Sequence, residues 1–361
     1  MSTVIEDAAP SKVDAVMGQI VTELGATLGI LLTDLGLRSG LWAAMRGVGP
    51  VSVADLTVQA GVPAPLVREW VRSQAAGGYL DYQPDTDRYI LPEPVAVALL
   101  DAPGGAMIGA CTEMLESMLD SYDDLAAAFT GDGSFGWHQR DPRHWHGTDR
   151  LTRAQLPADL IGAAVATMPG IPDALDAGGR VLDVGCGFGF PTTVIADRFP
   201  RASVVGVDYH RQSVDEARRT AEAAGVGDRV TFTVAAATDL PGSNYALVTF
   251  FDSLHDFGEP VAALRAARDV LAPGGAVLVC DNDAAERVVD NLNPVGRMYY
   301  AVSTLICTPN ALSQQGPVSP EPLGTYAGAA KLSEVAHEAG FTRATRLTVP
   351  GALNLFLDLR P

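Results

Sequence analysis

The feature that most constrains the fold is a glycine-rich turn after a short apolar segment. Residues 181–189 read Val-Leu-Asp-Val-Gly-Cys-Gly-Phe-Gly, and a helical pattern follows over Pro191–Phe199. Glycines at the start of a helix leave backbone N–H groups open to a ligand, because a side chain there would keep the ligand away. The segment therefore predicts a strand, a turn and a helix that together bind a nucleotide-like ligand.

The spacing of the glycines and the charges beside them narrow the choice of ligand. A dinucleotide-binding turn has the pattern GxGxxG, whereas the glycines here are Gly185, Gly187 and Gly189, followed by a phenylalanine. Asp183 places a carboxylate next to the turn, which would repel a pyrophosphate but attract an ammonium and a sulfonium group. Asp208 ends the next predicted strand, where a carboxylate can accept hydrogen bonds from both hydroxyls of a ribose. The pattern favours a cationic nucleoside.

From Arg180 to the end, apolar segments alternate with helical patterns. This alternation predicts a parallel sheet with helices on both faces, because consecutive parallel strands need a crossover. The last two extended segments are separated by Pro350 and Gly351, so they should form an antiparallel hairpin. We expect an α/β, Rossmann-like domain with a seven-stranded, mostly parallel sheet and an antiparallel last strand. The predicted strands are Arg180–Val184, Ser203–Asp208, Arg229–Val234, Ala246–Phe251, Ala276–Asp281, Thr345–Val349 and Leu353–Leu359.

The N-terminal part has a different pattern. Residues 11–46 carry apolar side chains at helical spacing over a wider face than a surface helix needs. Two helical patterns and a hairpin-like segment follow over residues 52–90, in the order of a winged helix. We predict an N-terminal all-helical and winged-helix dimerisation domain at residues 1–100. A helical linker and substrate lid at 101–170 and the nucleoside-binding catalytic domain at 171–361 complete the expected organisation.

Winged helices often bind DNA, but the charges of this one argue against that role. Its second helix carries Arg68 and Arg72 together with Glu69, and its wing is acidic. The chain has a formal net charge of −18, which repels the phosphates that a nucleic-acid-binding protein must neutralise. We predict a small-molecule acceptor and a second copy of the chain as partners, and neither nucleic acid nor a membrane.

The remaining composition favours a cytoplasmic protein. Asp34 and Arg38 interrupt the apolar stretch near residues 25–45, which then falls short of the roughly 20 apolar residues of a membrane span. The N-terminus lacks the pattern of a signal peptide. The cysteines have no CxxC spacing, so we expect free thiols. They are Cys111, Cys186, Cys280 and Cys307.

With these residues in place, the segment from Arg180 to the end resembles the class I S-adenosylmethionine-dependent methyltransferases. The resemblance implies S-adenosyl-L-methionine as the cofactor. The position that usually contacts its adenine is Ala236 here, which leaves adenine recognition either to Asp239 or to backbone groups. The implied cofactor-binding residues are Asp183, Gly185, Cys186, Gly187, Gly189, Asp208, Tyr209, Ala237, Thr238, Asp239, Phe251 and Asp252.

A histidine follows the fourth predicted strand, at the edge where open α/β sheets bind ligands. His255 lies in a Leu-His-Asp-Phe segment that resembles the Leu-His-Asp-Trp signature of winged-helix small-molecule O-methyltransferases, with Phe257 in place of the tryptophan. An imidazole, with an ordinary pKa of about 6.5, suits proton removal. The resemblance makes His255 the general base and Asp281 the residue that orients it. The alternatives are a core or helix-capping histidine and a turn-capping aspartate.

An insertion before the last two strands supplies candidate substrate contacts. Residues 290–314 are similar to those of actinobacterial winged-helix methyltransferases, a likeness that extends over nearly the full chain. From this insertion we predict that Tyr299, Tyr300 and Asn310 contact the substrate. The alternative is that they pack helices together.

The polar loop at residues 131–149 adds Trp137 and His138 as contacts from a lid. Its His144-Trp145-His146 segment offers two imidazoles, but two ligands without a third are weak evidence for a metal site. We therefore predict no metal.

The leading interpretation is an S-adenosylmethionine-dependent O-methyltransferase that acts on a hydroxyl of an actinobacterial secondary metabolite. C- or N-methylation by the same fold is the nearest alternative, because it needs only positioning of the acceptor. A winged-helix transcriptional regulator that responds to S-adenosylmethionine and a catalytically silent, cofactor-binding dimer are alternatives of other classes.

Overall fold

The computed structural model describes residues 11–315 and 321–361. The chain divides between Glu113 and Met114 into two compact units. The segment at 101–170, predicted as a linker and lid, is divided between the two units, with residues 114–170 in the second.

The first unit contains the helices and the small hairpin that the sequence predicts. The hairpin strands pair in antiparallel register, Tyr82 opposite Tyr89, which completes the winged helix. Its elements are α1 (Lys12–Arg38), α2 (Leu41–Met45), α3 (Val53–Ala60), α4 (Ala64–Ala76), β1 (Asp81–Gln83), β2 (Arg88–Ile90), α5 (Glu93–Ala96), a π-helical turn (Val97–Asp101) and the start of α6 (Gly104–Asp120).

Local sequence explains where these helices begin and how they pack. Ser52 caps α3: its hydroxyl accepts a hydrogen bond from the Asp55 N–H at 3.1 Å, and the Asp55 carboxylate accepts one from the Ser52 N–H at 3.1 Å. Such a cap contributes about 1 kcal/mol. The rings of Trp42 and Trp70 lie 4.7 Å apart in the core. A Cβ atom on Gly36 would come within 2.5 Å of both indoles, so glycine is required there.

Helix α1 keeps a wide apolar face exposed. An 18-residue window of α1 has a mean hydropathy of 1.6 with none of it buried, so by length and composition this helix could cross a membrane. Asp34 and Arg38 therefore do not exclude a span by this criterion, which core helices of soluble proteins also meet. The bent pair Glu93–Asp101 and Gly104–Asp120 meets the same criterion. The exposed apolar side chains of α1 include Val13, Val16, Met17, Ile20, Val21, Leu24 and Leu28.

The second unit is built on one large sheet. Its helices are α7 (Tyr122–Thr130), α8 (Pro142–Gln155), α9 (Ala158–Ala166), α10 (Ile171–Asp176), α11 (Phe190–Arg198), α12 (Arg211–Ala223), α13 (Pro260–Asp269), α14 (Pro294–Val302), α15 (Thr308–Ser313) and α16 (Gly328–Glu338). Its strands are β3 (Arg180–Val184), β4 (Ser203–Asp208), β5 (Val230–Val234), β6 (Tyr245–Phe251), β7 (Leu271–Asn282), β8 (Arg343–Arg346) and β9 (Asn354–Arg360).

The sheet has seven strands in the order β5-β4-β3-β6-β7-β9-β8. The first five strands in sequence run parallel, and β9 is antiparallel to both β7 and β8, so the predicted fold class is confirmed. The largest deviations are an earlier start of β7, at Leu271, and the position of β8. β8 ends at Arg346, and Val349, the predicted end of this strand, packs in the core instead.

Alternating side chains of the strands fill two cores. Val181 packs on the face covered by α9 to α12, and the next residue, Leu182, packs on the face covered by α13 and α16. The chain runs outward from β3 to β4 on one side and to β6 on the other. Such a reversal of strand order opens a crevice at the carboxyl ends of the strands.

A helical layer, which we call the cap, stands beside this crevice within the second unit. It consists of residues 114–155 and 294–313. Met114, Leu151 and Ile306 share one apolar cluster, which joins the two halves of the cap. The cap thus brings residues that are distant in sequence to one side of the crevice.

Candidate functional site

The glycine-rich turn leaves β3 and enters α11 with three glycines at positive φ. Gly185 has φ 72° and Gly189 has φ 77°, and a Cβ atom would come within 2.7 Å of Ser253 and 2.8 Å of Phe232, respectively. Gly187 has φ 52°, but a Cβ atom there would meet nothing within 4 Å. Two of the glycines are therefore needed for close packing, and Gly187 leaves open space.

That open space belongs to a cavity of about 380 Å³ at the carboxyl ends of β3, β4 and β6. Gly189 does not line the cavity; it starts α11 in the left-handed conformation. The sequence-predicted residues that line the cavity are Asp183, Gly185, Cys186, Gly187, Asp208, Tyr209, Ala237, Thr238, Phe251, Asp252, Trp137 and Asn310.

Asp183 is held rigidly at the end of β3. Its carboxylate accepts hydrogen bonds from the hydroxyls of Thr192 at 2.5 Å and Thr249 at 2.8 Å. Burial raises the pKa of Asp183 to about 6, and these hydrogen bonds only partly oppose it. A cation placed in the cavity would favour the ionised form.

Asp208 closes the next strand and supports the turn. Its carboxylate accepts hydrogen bonds from the N–H groups of Gly187 at 3.0 Å and His210 at 2.9 Å. Burial raises the pKa of Asp208 to about 6 as well. Because each oxygen keeps a second lone pair, the carboxylate can still accept hydrogen bonds from a ligand.

Asp252 follows β6 in a left-handed conformation, φ 50°. Its N–H donates to the Cys280 carbonyl at 2.8 Å, and its carboxylate accepts from the Asn282 amide at 3.3 Å. Burial raises the pKa of Asp252 to about 6. Together with Asp183 and Asp208 it places three carboxylates around one cavity.

His255 and Asp281 form a buried pair, as the sequence predicts. The Nδ1 atom of His255 lies 2.9 Å from one oxygen of Asp281, and the Asp281 carboxylate also accepts from the Asn282 N–H at 2.8 Å. Neither His255 nor Asp281 lines the cavity. The neighbouring Asp256 does, and its Oδ1 atom lies 3.6 Å from the His255 Nε2 atom.

The electrostatic surroundings of His255 favour its protonated form. Burial lowers the pKa of the imidazole, but the carboxylates of Asp281 and Asp256 outweigh it and hold the pKa well above its usual value. A proton-accepting imidazole must be neutral, so these carboxylates reduce the fraction of molecules in which His255 can accept a proton.

Asn310 ties the cap to the crevice. Its side-chain oxygen accepts from the Trp137 N–H at 2.8 Å and from the Tyr209 hydroxyl at 3.5 Å, and its amide donates to the Asp256 carbonyl at 3.3 Å. Gln314 donates to the same carbonyl at 2.9 Å. Asn310 thereby fixes the wall of the cavity that faces the turn after β6.

Four predicted contacts lie elsewhere. His138 is exposed, its ring edge-on to Tyr209 at 6.2 Å, and Asp239 is exposed in a turn. Tyr299 stacks on Tyr326 at 5.3 Å, and the Tyr300 hydroxyl accepts from an Asn291 amide at 3.2 Å. Tyr299, Tyr300, His138 and Asp239 do not line the cavity. Residues 235–238, which precede Asp239, do line it.

Sequence reasoning missed several residues of the site. Thr148, Asp149 and Thr152 reach the cavity from α8, and no motif marked them. Asp256 lies inside the Leu-His-Asp-Phe segment, but its sequence position gave it no role. The buried Cys307, expected only as a free thiol, approaches His255 and Asp256.

Comparison with known families identifies both parts of the chain. Residues 175–339 match the family described as a methyltransferase domain, and residues 26–100 match the Rv2258c-like winged HTH domain. The chain carries a methyltransferase domain. The glycine-rich turn, Asp208, His255, Asp281 and Cys307 all lie within the residues that match this methyltransferase domain.

Individual relatives agree with this assignment. The chain is 33% identical over 139 residues to the 27-O-demethylrifamycin SV methyltransferase of Amycolatopsis mediterranei, a match that covers 36% of the chain and 51% of that relative. The chain thus spans about half the length of this relative. A trans-aconitate 2-methyltransferase of Streptomyces avermitilis is 34% identical over 126 residues, covering 35% of the chain and 44% of the relative.

Solved structures share the whole fold at low sequence identity. The mitomycin 7-O-methyltransferase MmcR superposes with a TM-score of 0.66 at 17% identity, covering 96% of this chain and 98% of that one. Human N-acetylserotonin methyltransferase, in complex with SAM, superposes with a TM-score of 0.65 at 14% identity. The match covers 98% of this chain and 99% of that one. The winged-helix unit and the methyltransferase domain therefore occur together in proteins of this architecture.

Proposed function

We propose that this protein is an S-adenosylmethionine-dependent methyltransferase that acts on an oxygen atom of a small molecule. The observation that carries the proposal is a cavity at the ends of β3 and β4 where Asp183 and Asp208 flank an open glycine, Gly187. S-adenosylmethionine supplies an electrophilic methyl group on a positively charged sulfur. The residues of this chain bind it and align the acceptor.

The cavity residues fit the charge and shape of this cofactor. Three carboxyl groups, the buried Asp183 and the half-buried Asp208 and Asp252, have raised pKa values, and a bound cation would favour their ionised forms. The space beside Gly187 admits a ligand close to the backbone. Asp208 has lone pairs left for ribose hydroxyls.

His255 is the proposed proton acceptor. Asp281 holds the Nδ1 atom, which leaves Nε2 to take a proton from the cavity side, where Asp256 lies. This arrangement of an imidazole oriented by a buried carboxylate is suited to general base catalysis. O-methylation gains from such a base, because a hydroxyl must lose its proton as the methyl group arrives.

The acceptor is proposed to be a hydroxyl of a secondary metabolite. The support is that proteins similar to this chain are named for methylation of rifamycin and mitomycin compounds. The cap, with Trp137 and Asn310 at the cavity wall, is the proposed acceptor side.

We further propose that α1 forms a homodimer interface in a cytoplasmic protein without a nucleic-acid partner. A second copy is favoured over a membrane because Glu23 lies among the apolar residues of α1, and a charge at a bilayer centre costs about 2.5 to 3.5 kcal/mol. Arg68 and Arg72 both lie within 3.2 Å of the Glu69 carboxylate, which offsets one of their two positive charges and leaves a weakly basic helix.

The test is calorimetry followed by an acceptor screen. Purified full-length protein should bind S-adenosylmethionine and S-adenosylhomocysteine but not NAD. Incubation with hydroxylated aromatics, keto acids and amines should then give products heavier by one methylene unit, read by mass spectrometry, for a hydroxyl acceptor. Binding of NAD alone would overturn the proposal, and products methylated only on carbon or nitrogen would overturn its O-methylation part.

A further inference from the structure

Three side chains with metal-binding atoms meet beside the cavity. His255 and Asp256 belong to the 3-10 turn after β6, and Cys307 ends the π-helical turn Ser303–Cys307. A ligand atom of each lies within 4.8 Å of the other two. His255 and Cys307 are buried, whereas Asp256 lines the cavity, so the cluster borders the space proposed for cofactor and acceptor.

The imidazole of His255 is already arranged as a metal ligand. Its Nδ1 atom is engaged by Asp281 at 2.9 Å, so Nε2 is the nitrogen left for coordination. Metal-binding histidines almost always have their second nitrogen held by a carboxylate or carbonyl in this way, which fixes the ring and increases its basicity.

The Asp256 carboxyl interacts with the Cys307 thiol and the His255 imidazole, but its Oδ1 atom has no hydrogen-bond partner among the described residues. This oxygen is fully shielded from solvent. It lies 3.6 Å from the His255 Nε2 atom. Nitrogen and oxygen ligands of one tetrahedral zinc ion are separated by about 3.4 Å, from metal–ligand distances of about 2.0 to 2.2 Å. The two atoms therefore stand at the spacing of two ligands of the same ion.

Cys307 completes the set and has a supporting contact of its own. The Thr325 hydroxyl donates to the Cys307 Sγ atom at 2.7 Å. Sulfur is a weak acceptor as a thiol and a stronger one as a thiolate, which is the form that binds metal. The contact thus corresponds to the outer-shell hydrogen bond of a coordinated cysteine.

We propose that His255, Asp256 and Cys307 bind one divalent transition metal of the zinc, cobalt or iron type, with a coordination position left for water or an acceptor oxygen. One thiolate and one imidazole select such a metal over magnesium or calcium, which prefer oxygen ligands. Three protein ligands with one open position are the pattern of catalytic rather than structural zinc sites.

A second group of potential ligands, Asp252, His255 and Asp281, is not the site. It would use the Nδ1 atom of His255, which Asp281 already engages. Its carboxylates also accept hydrogen bonds from Asn282, through the amide to Asp252 and the N–H to Asp281. The unsatisfied oxygen is on the Asp256 side.

The catalytic consequence rests on the proposed methyltransferase function. A hydroxyl bound to the metal would release its proton to water at a lower pH than a free hydroxyl. In the metal-loaded protein, His255 then acts as a ligand, because Nε2 cannot hold a metal and accept a proton at the same time.

Cobalt binding tests the site without any assay of activity. Full-length protein is dialysed against a chelator and titrated with Co²⁺. We expect one ion per chain and a sulfur-to-cobalt charge-transfer band in the near ultraviolet. Cys307→Ser should abolish the band, Asp256→Asn should weaken binding by about tenfold or more, and the matched control Cys111→Ser should retain both band and affinity.

A wild-type protein that binds S-adenosylmethionine but shows no charge-transfer band overturns the metal site and leaves the proposed function intact. An unchanged charge-transfer band in Cys307→Ser would also overturn the proposed metal site. Melting curves and cofactor binding of each variant establish that it is folded. Conversely, a normal cobalt band in protein that fails to bind S-adenosylmethionine supports the metal site and contradicts the methyltransferase proposal.

Discussion

The carboxylate of Asp281 lies 2.9 Å from the Nδ1 atom of His255, so the Nε2 atom is directed to the Asp256 side of the ring. Asp281→Asn keeps the shape of the pair but removes the charge that orients and supports the imidazole. We expect kcat/KM for methyl transfer to fall by about tenfold to a hundredfold, with the Kd of S-adenosylmethionine unchanged. Steady-state kinetics and calorimetry on the same preparation measure the two effects.

The matched control for this substitution is Asp283→Asn. Asp283 follows the same strand but forms a partly exposed ion pair with Arg346, which contributes little to stability. Its loss should leave kcat/KM within about twofold of the wild type. Equal losses in the two variants would contradict a specific role for Asp281.

Gly187→Ala tests the approach of the cofactor to the turn. A Cβ atom would stand in the open space beside the cavity, and φ is positive at this position. We expect the Kd of S-adenosylmethionine to rise by about tenfold or more, which corresponds to about 1.4 kcal/mol or more of lost binding. Calorimetry measures the change.

A control substitution at a second glycine distinguishes the backbone strain caused by Gly187→Ala from its effect on ligand binding. Gly225 also has a positive φ of 71°, and a Cβ atom there would meet nothing within 4 Å. Unlike Gly187, it does not line the cavity. Gly225→Ala should lower the melting temperature about as much as Gly187→Ala, without any change in cofactor affinity. Similar affinities for both variants would disprove the proposed position of the ligand.

Cofactor affinity should depend on pH through the carboxylates of Asp183 and Asp208. Burial raises the pKa values of Asp183 and Asp208 to about 6, and a cationic ligand favours their ionised forms. Affinity should therefore fall as the pH drops through 6, by about tenfold between pH 7 and pH 5 for each carboxylate that must ionise. Calorimetry at both pH values measures it, and a constant Kd would contradict the role of these groups.

The stability of the ligand-free protein should change in the opposite direction. A carboxyl group whose pKa is raised by folding binds its proton more tightly in the folded state than in the unfolded state. The destabilising contribution of Asp183 and Asp208 is present above pH 6 and is relieved as the pH falls towards their ordinary values near 4. Melting curves with and without S-adenosylmethionine should separate the two trends.

The parts of the fold set by local pattern could be predicted well. β3 and β4 begin and end at the predicted residues, because each is a mostly apolar segment bounded by polar or glycine-rich turns. The glycine-rich turn and Asp208 follow from the same pattern, since spacing along the chain determines which residues meet at the carboxyl ends of adjacent parallel strands.

The acceptor side of the site could not be predicted in the same way. Tyr299 and Tyr300 turn towards Tyr326 and Asn291, and His138 lies at the surface, because the cap depends on packing between segments far apart in sequence. The approach of Cys307 to His255 has the same origin. The sequence motif indicates that His255 is a candidate general base. Which groups face each of its ring nitrogens depends on the three-dimensional packing.

The exposed face of α1 gives the last prediction. Ile20 is 44% exposed and Leu24 is 61% exposed, within a stripe of apolar residues at helical spacing. Ile20→Glu and Leu24→Glu place charges in the proposed dimer interface, where an unpaired buried charge is costly. Sedimentation velocity at micromolar concentration should give a dimer for the wild type and a monomer for either variant. Ala26→Glu, on the opposite face of α1 by the same spacing, should leave the dimer intact. A wild-type protein that sediments as a monomer, or that floats with lipid vesicles through α1, would contradict the homodimer.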